Sequence, residues 1–335
     1  MYSVPAMSIF KGKIILITGG TGSFGKACVK RLLEAHDPAS IRIFSRDELK
    51  QWEMARQFND ERLRFLIGDV RDVNRLKRAF EGVDYVIHAA ALKHVPACEY
   101  NPVEAVRTNV DGAINVINAA LDTNVKKVIA LSTDKAVNPV NIYGATKLAS
   151  DRLFIQSNSY SGTLHPTRFS VVRYGNVMAS RGSVIPLFRK QAESGVLTVT
   201  DARMTRFWIT LPHAVDFVLS SFELMQGGEI FVPKIPSMKI TDLVKVLAPK
   251  AKIKVIGVRP GEKLHESLTT KEESPLVRDM KDRYIVLSPS REWPVDESLY
   301  TRYKKVKEGF EYNSLDNKDY LSQKEMTKML EELGV

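Results

Sequence analysis

Ile14-Ile15-Leu16-Ile17-Thr18-Gly19-Gly20-Thr21-Gly22-Ser23-Phe24-Gly25 decides how the whole chain is read. Four apolar residues in a row, with no polar alternation, describe a strand buried on both faces, as in a parallel sheet. Glycines 19, 22 and 25 follow with G-x-x-G-x-x-G spacing, and the next stretch, Gly25–Ala35, is amphipathic with Val29, Leu32 and Leu33 on one side. Glycine at such a strand–helix junction permits a tight turn and close approach of a pyrophosphate, whose charge the helix N-terminus stabilises. A dinucleotide is therefore expected over Gly19, Thr21, Gly22, Ser23, Phe24 and Gly25.

The same alternation continues outward. Ile41–Ser45, Leu63–Gly68, Val83–Ala90 and Lys127–Ser132 are predicted strands; Glu48–Phe58, Val73–Phe80 and Pro102–Asn124 are predicted helices. Strand and helix in strict succession give an α/β fold, a Rossmann-type doubly wound parallel sheet covered on both faces. After Asp151 the regularity loosens. Phe169–Tyr174, Gly228–Val232 and Tyr284–Leu287 still look like strands, but prolines at 186, 212, 233, 236, 260 and 275 divide this half into short pieces. The expected organisation is a dinucleotide-binding domain over 1–170 and a smaller α/β substrate lobe over 171–335, with some segments returning to the first domain.

Composition narrows the function classes. With 335 residues, 44% hydrophobic and 26% charged, the chain reads as an ordinary globular protein long enough for about two structural units. The net charge of +10 raises a polyanion as partner. Its basic residues are dispersed, the densest stretch (Tyr303–Lys307) holding three lysines, so a phosphorylated small molecule is expected rather than nucleic acid. Two distant cysteines, Cys28 and Cys98, support neither a disulfide framework nor a zinc site, and no metal is expected. Without a signal-like N-terminus or a long apolar run, the expectation is a soluble cytoplasmic protein with no membrane partner.

Past the second strand, an NAD-binding domain usually carries an acid for the ribose 2′-hydroxyl. Ser45 occupies that place here, and Arg46 and Lys50 offer cations to a 2′-phosphate, which favours NADP. Asp47 is either a ribose ligand or a helix cap. Asp69, in Gly68-Asp69-Val70, either accepts from the adenine amino group or caps a helix. Ala89 and Ala90 end the fourth strand, where small side chains let a cofactor lie against the backbone, and Lys93 and His94 follow at the cleft mouth.

The chemistry gathers at Ser132-Thr133-Asp134-Lys135 and at Tyr143 and Lys147, a Y-x-x-x-K pair one helical turn apart. There the lysine ammonium is expected to lower the phenol pKa, so that Tyr143 can take a proton from a hydroxyl while it is oxidised.

These residues resemble the extended short-chain dehydrogenase/reductases, and within them the inverting UDP-N-acetylglucosamine 4,6-dehydratases of pseudaminic acid synthesis. The resemblance spans nearly the whole chain. It is carried by Thr18–Lys26 (TGGTGSFGK), Ser45–Lys50 (SRDELK), Gly68–Asp72 (GDVRD), His88–Pro96 (HAAALKHVP), Leu131–Pro139 (LSTDKAVNP), Tyr143–Lys147 (YGATK), Val171–Val177 (VVRYGNV), Ser180–Val184 (SRGSV), Met204–Thr210 (MTRFWIT), Gly227–Ser237 (GGEIFVPKIPS) and Arg259–Glu266 (RPGEKLHE).

The resemblance implies a tightly bound NADP that is regenerated each turnover, a UDP-sugar substrate and a homo-oligomer, dimer or hexamer. It implies Tyr143 as base for the C4 hydroxyl, Lys147 as its modulator and ribose ligand, and Thr133 as a contact to the sugar O4. Asp134 becomes the acid at C6. Lys135 becomes the base at C5, where dehydratases that retain C5 configuration carry glutamate. Such a base must be partly neutral, a state that burial promotes and Asp134 opposes. Asn176 and Val177 are implied to run between cofactor and substrate. Lys93, Ser180, Arg181, Thr205, Arg259 and Glu262 are implied substrate contacts, with Arg259 and Glu262 clamping ribose and diphosphate. The rivals are a 4- or 5-epimerase on the same nucleotide sugar and a non-catalytic NADP-sensing regulator.

Overall fold

A computed structural model describes residues 8–161, 167–178, 180, 183–289, 293, 295–296 and 298–334. Its first half is built of β1 (Ile14–Thr18), α1 (Ser23–Ala35), β2 (Ser40–Ser45), α2 (Glu48–Phe58), β3 (Leu63–Ile67), α3 (Val73–Phe80) and β4 (Tyr85–His88). Helices α4 (Val95–Tyr100), α5 (Pro102–Val106) and α6 (Gly112–Asp122) follow, then β5 (Lys127–Thr133), α7 (Ile142–Gln156) and β6 (Arg168–Tyr174).

The strands lie in the order β3-β2-β1-β4-β5-β6, all parallel. In β1, residues 15–18 have no exposed surface at all, as the apolar run required. The order reverses between β1 and β4, and a crevice opens beyond the strand ends at such a switch point. Ile230–Pro233 adds to β6 in parallel, and Arg283–Val286, Val277–Asp279 and Lys304–Lys305 extend the same sheet antiparallel to ten strands. The second half of the chain thus completes the large sheet before it builds anything of its own. What it builds is a smaller unit with a separate apolar cluster around Ile185, Phe188, Leu197, Trp208, Leu243 and Met326.

Local chemistry sets the helix ends. Asp47 accepts from Lys50 N to cap α2, and Asn59 closes that helix in the left-handed region at φ 45°. Asp72 caps α3 by accepting from Arg75 N. The single helix expected over Pro102–Asn124 is instead α5, a π-helical turn at Arg107–Asp111, and α6. The π turn presents Asn109 to the chain beyond β4: its carboxamide accepts from Leu92 N at 2.8 Å and donates to Leu92 O at 2.9 Å and Thr146 Oγ1 at 3.0 Å. Among the described residues no helix is long and apolar enough to cross a membrane.

Arg173, in the VVRYGNV stretch, is buried inside the protein. Its guanidinium lies 3.5 Å from Asp151 and 3.2 Å from Glu273 and donates to Leu268 O at 3.0 Å. It joins α7, β6 and the segment after residue 267 through charges that have almost no water. Removing one partner of such a cluster strands the others, at a cost of about 3–5 kcal/mol. Arg173→Met is therefore expected to lower unfolding free energy by about that amount. Urea denaturation followed by circular dichroism measures it, and an unchanged midpoint would refute the role given to the cluster.

Candidate functional site

One cleft of about 1590 Å³ runs across the C-terminal ends of β1 to β6. At one end it is walled by the glycine turn, with Gly19, Thr21, Gly22, Ser23, Phe24 and Gly25 all on its surface. Gly22 is the N-cap of α1; no side chain caps that helix, and its first turn holds no acid. The first N–H groups of α1 therefore face the cleft as an anion site. Gly25 is required for a different reason. A Cβ on it would come within 2.2 Å of the Gly20 carbonyl oxygen, so only glycine lets α1 start this close to the turn.

Farther along this wall stand Ser45, Arg46, Asp47, Lys50, Asp69 and Val70. The Ser45 hydroxyl accepts from Gln51 Nε2 at 3.0 Å. Asp47 caps α2 while lining the cleft, and Lys50, expected to reach a phosphate, is ion-paired back onto it. Asp69 is not the cap of α3, which is Asp72: its carboxylate accepts from Arg71 N at 3.0 Å and from the Arg71 guanidinium at 2.7 and 3.0 Å, and Arg46 lies 3.7 Å away with more than half its side chain exposed. Burial alone would raise the Asp69 pKa, but the Arg71 bonds outweigh it and hold the group below its usual value. Ala89, Ala90 and Lys93 continue the wall toward the middle.

At the other end β5 delivers Ser132 and Thr133, and α7 delivers Tyr143 and Lys147. Asn141 caps α7 by accepting from Gly144 N at 2.8 Å. Gly144 packs so tightly on the loop after β5 that a Cβ there would lie 2.2 Å from the Lys135 carbonyl oxygen. Ser132 Oγ donates to Asp151 at 2.8 Å, and Thr133 Oγ1 donates to Asp134 at 2.8 Å. Lys135 Nζ donates to both oxygens of Asp134 at 2.9 and 3.0 Å and to Asn176 Oδ1 at 2.8 Å, and lies 3.5 Å from Glu266.

The electrostatics differ from the expectation. Burial pushes the Tyr143 phenol pKa up, and Asp134 and Asp151 push it further; the hydrogen bond with Thr133 is what pulls it down. Lys147 is itself lowered by burial, against the pull of Asp151, and does not offset the desolvation of Tyr143. Burial would lower Lys135 as well, but Asp134 and Glu266 overcome it and raise its pKa. Asp134 is raised, mainly by burial, with Lys135 opposing.

Thr133, Lys135, Tyr143, Lys147, Asn176, Val177, Ser180, Arg259 and Glu262 line this end together. Asp134 does not; it is fully buried behind Thr133 and Lys135. Thr205, an expected substrate contact, is a correction: it is fully buried, its hydroxyl engaged by His265 at 2.8 Å and Ser314 at 2.7 Å. Neighbouring Arg206 reaches the cleft instead, with its guanidinium bonded to the carbonyls of Thr205, Lys263 and Leu264. Arg181 lies outside the described residues. Sequence reasoning missed Lys263 and Glu266, which also line the cleft, and Asn109, which holds Leu92. Among the described residues no cluster of His, Cys, Asp or Glu is arranged to hold a metal ion.

A parallel α/β sheet with a glycine turn at its switch point and a Tyr-x-x-x-Lys helix over the same cleft defines an extended short-chain dehydrogenase/reductase. The chain belongs to the polysaccharide biosynthesis protein family, whose model matches residues 15–288. It is 55% identical over 330 residues to the UDP-N-acetylglucosamine 4,6-dehydratase (inverting) of Campylobacter jejuni, covering 96% of this chain and 98% of that one. It is 46% identical over 318 residues to the UDP-glucose 4-epimerase of Rickettsia conorii, covering 92% and 93%. Among solved structures it resembles Pen from Bacillus thuringiensis at 40% identity and a TM-score of 0.89, covering 97% and 99%.

The contact at Gly144 is testable. Gly144→Ala pushes α7 off the Lys135 carbonyl, and overpacking of this kind costs about 1–3 kcal/mol. A fall in the thermal midpoint is expected by differential scanning calorimetry; a wild-type midpoint would contradict the close approach.

Proposed function

We propose that the chain is an NADP-dependent UDP-N-acetylglucosamine 4,6-dehydratase that inverts C5. The observation that carries this reading is the Lys135 ammonium held 2.9 Å from Asp134, beside Tyr143, in the cleft. An oxidoreductase or 4-epimerase needs Tyr143 and Lys147 only. Loss of water from C5 and C6 needs a second acid–base pair, and this is where one stands.

The cradle suits a dinucleotide. The uncapped start of α1 offers N–H groups to a pyrophosphate, and Ala89 and Ala90 leave room along the backbone. With Lys50 tied to Asp47, recognition of a 2′-phosphate falls to Arg46. A nicotinamide dinucleotide bound there supplies the redox chemistry at C4 and C6. On the substrate side, Glu262 has a buried carboxylate oxygen with no hydrogen-bond partner among the described residues, which suits a sugar or ribose hydroxyl. Arg259 stands two residues before the Gly261 turn at the cleft wall, available to a diphosphate.

The residues divide the proton work. Tyr143, acting as its phenolate beside Thr133, takes the proton of the C4 hydroxyl. A ketone at C4 then acidifies the neighbouring C5–H. A proton passing from Lys135 Nζ to the Asp134 carboxylate leaves a neutral amine and a carboxylic acid, and burial of Asp134 favours that exchange. The amine takes the C5 proton, while the proton on Asp134 reaches the departing C6 hydroxyl through Thr133 or Lys135, behind which it is buried. The proton taken up by Tyr143, exchanged with water, returns to C5 on the opposite face. The product is a 4-keto-6-deoxy sugar with the L-arabino configuration, a precursor for pseudaminic acid or a related surface glycan, made by a homo-oligomer.

Incubation with UDP-N-acetylglucosamine in D₂O, read by mass spectrometry and proton NMR, tests the reading. Loss of one water, deuterium at C5 and an inverted C5 coupling pattern are expected. An isomer of unchanged mass would make the protein an epimerase, and water loss with retention would remove Lys135 from C5. Lys135→Met is expected to abolish product while dinucleotide affinity stays unchanged by fluorescence titration. Arg46→Ala is expected to lower the preference for NADP over NAD by about tenfold or more, the worth of one charge-assisted bond. An unchanged preference in that variant would place the 2′-phosphate elsewhere.

A further inference from the structure

Glu266 closes the RPGEKLHE stretch, and its carboxylate has almost no exposed surface. Its backbone is anchored separately: Glu266 N donates to Ser314 Oγ at 2.9 Å, and Ser314 N donates to Glu266 O at 2.8 Å. The segment before it is held by Arg206 through the carbonyls of Lys263 and Leu264. The carboxylate is therefore not needed to fix its own segment. It sits among cations instead, 3.5 Å from Lys135 Nζ, 2.9 Å from Lys263 Nζ and 3.8 Å from Arg206 Nε.

We propose that Glu266 is a positioning residue that sets the protonation state of Lys135, with Lys263 and Arg206 governing how strongly its charge is felt there. The inference rests on the reading of Lys135 as the C5 base. The groups that face Lys135 are Asp134 from its own turn, Asn176 from the strand beyond β6, Glu266 and Arg206 from the second half of the chain, and Tyr143 through Thr133. Asp134 alone would give the ammonium a single counter-charge. A second carboxylate biases Lys135 further toward the ammonium, and two further cations temper that bias. Lys135 thus stays charged and anchored by its two carboxylate neighbours. Lys263 also donates to Val137 O at 2.9 Å, so it reports on the loop that carries Lys135.

Without the charge of Glu266, the ammonium loses an anion and faces Arg206 and Lys263 less compensated, so it deprotonates at lower pH. Without Lys263, Glu266 acts on Lys135 more strongly and the ammonium persists to higher pH. A merely structural lesion would not give opposite displacements.

The experiment is competitive labelling of the full chain with acetic anhydride across the alkaline range, with modification at Lys135 read by peptide mass spectrometry. Wild type, Glu266→Gln and Lys263→Met are compared. The expected result is a labelling midpoint lower in Glu266→Gln by about one pH unit, a tenfold change in amine fraction at fixed pH, and higher in Lys263→Met. Coincident midpoints, or displacements of the same sign, overturn the proposal. Should Glu266→Gln fail to fold by circular dichroism, Lys263→Met decides alone, an unmoved midpoint overturning it. The pH profile of turnover on UDP-N-acetylglucosamine is recorded alongside. A wild type that labels as described but does not turn over overturns the dehydratase reading and leaves the charge assignment standing.

Discussion

The contact between Gly144 and the carbonyl of Lys135 fixes the relation of everything that matters in the cleft. The tyrosine and lysine of α7 and the acid–base residues after β5 come from different elements, and each could be placed in many ways. Packing the first turn of α7 directly on the loop leaves one arrangement. Thr133 then meets Tyr143 on one side and Asp134 on the other, so a single hydroxyl touches both sets of proton-carrying groups. The sheet, the caps and the long C-terminal extension hold this junction in place.

Burial gives the site its character and its difficulty. Lys147, Asp134 and Asp151 are buried and Tyr143 is partly buried at the cleft wall, and each is displaced toward its neutral form. Lys135 is the exception, because two carboxylates hold it charged. A phenol raised by burial is a reluctant base in the absence of ligands. Its activation therefore depends on what the bound cofactor and substrate bring, and the protein contributes geometry and the hydrogen-bonded contact with Thr133.

Much of this was legible in the sequence. Apolar runs such as Ile14–Ile17 and Val128–Ala130 have no alternation and, set between amphipathic stretches, describe interior parallel strands, so the strands could be placed along the chain. The glycine turn and the Tyr143/Lys147 spacing are local patterns, and local patterns survive without coordinates. What could not be read was of two kinds. The π turn at Arg107–Asp111 leaves the helical periodicity of Pro102–Asn124 almost unchanged, so it gives no signal. Glu266 and Lys263 reach Lys135 only because the chain returns across the cleft, and nothing in RPGEKLHE states which of its two glutamates faces which partner. Thr205 was misplaced for a related reason. It and Arg206 belong to a strand whose residues all lie inside, and the arginine reaches the cleft because its side chain is long.

Arg173 has a consequence for how such chains can be recombined. By bridging Asp151 on α7 to Glu273 in the C-terminal extension, it makes two stretches far apart in sequence interdependent. The same half of the chain also supplies the outer strands of the main sheet. A chimera that joined the first half of one relative to the second half of another would have to inherit all three charges from compatible parents. Exchange of specificity among these proteins is therefore easier by replacing cleft loops than by swapping halves.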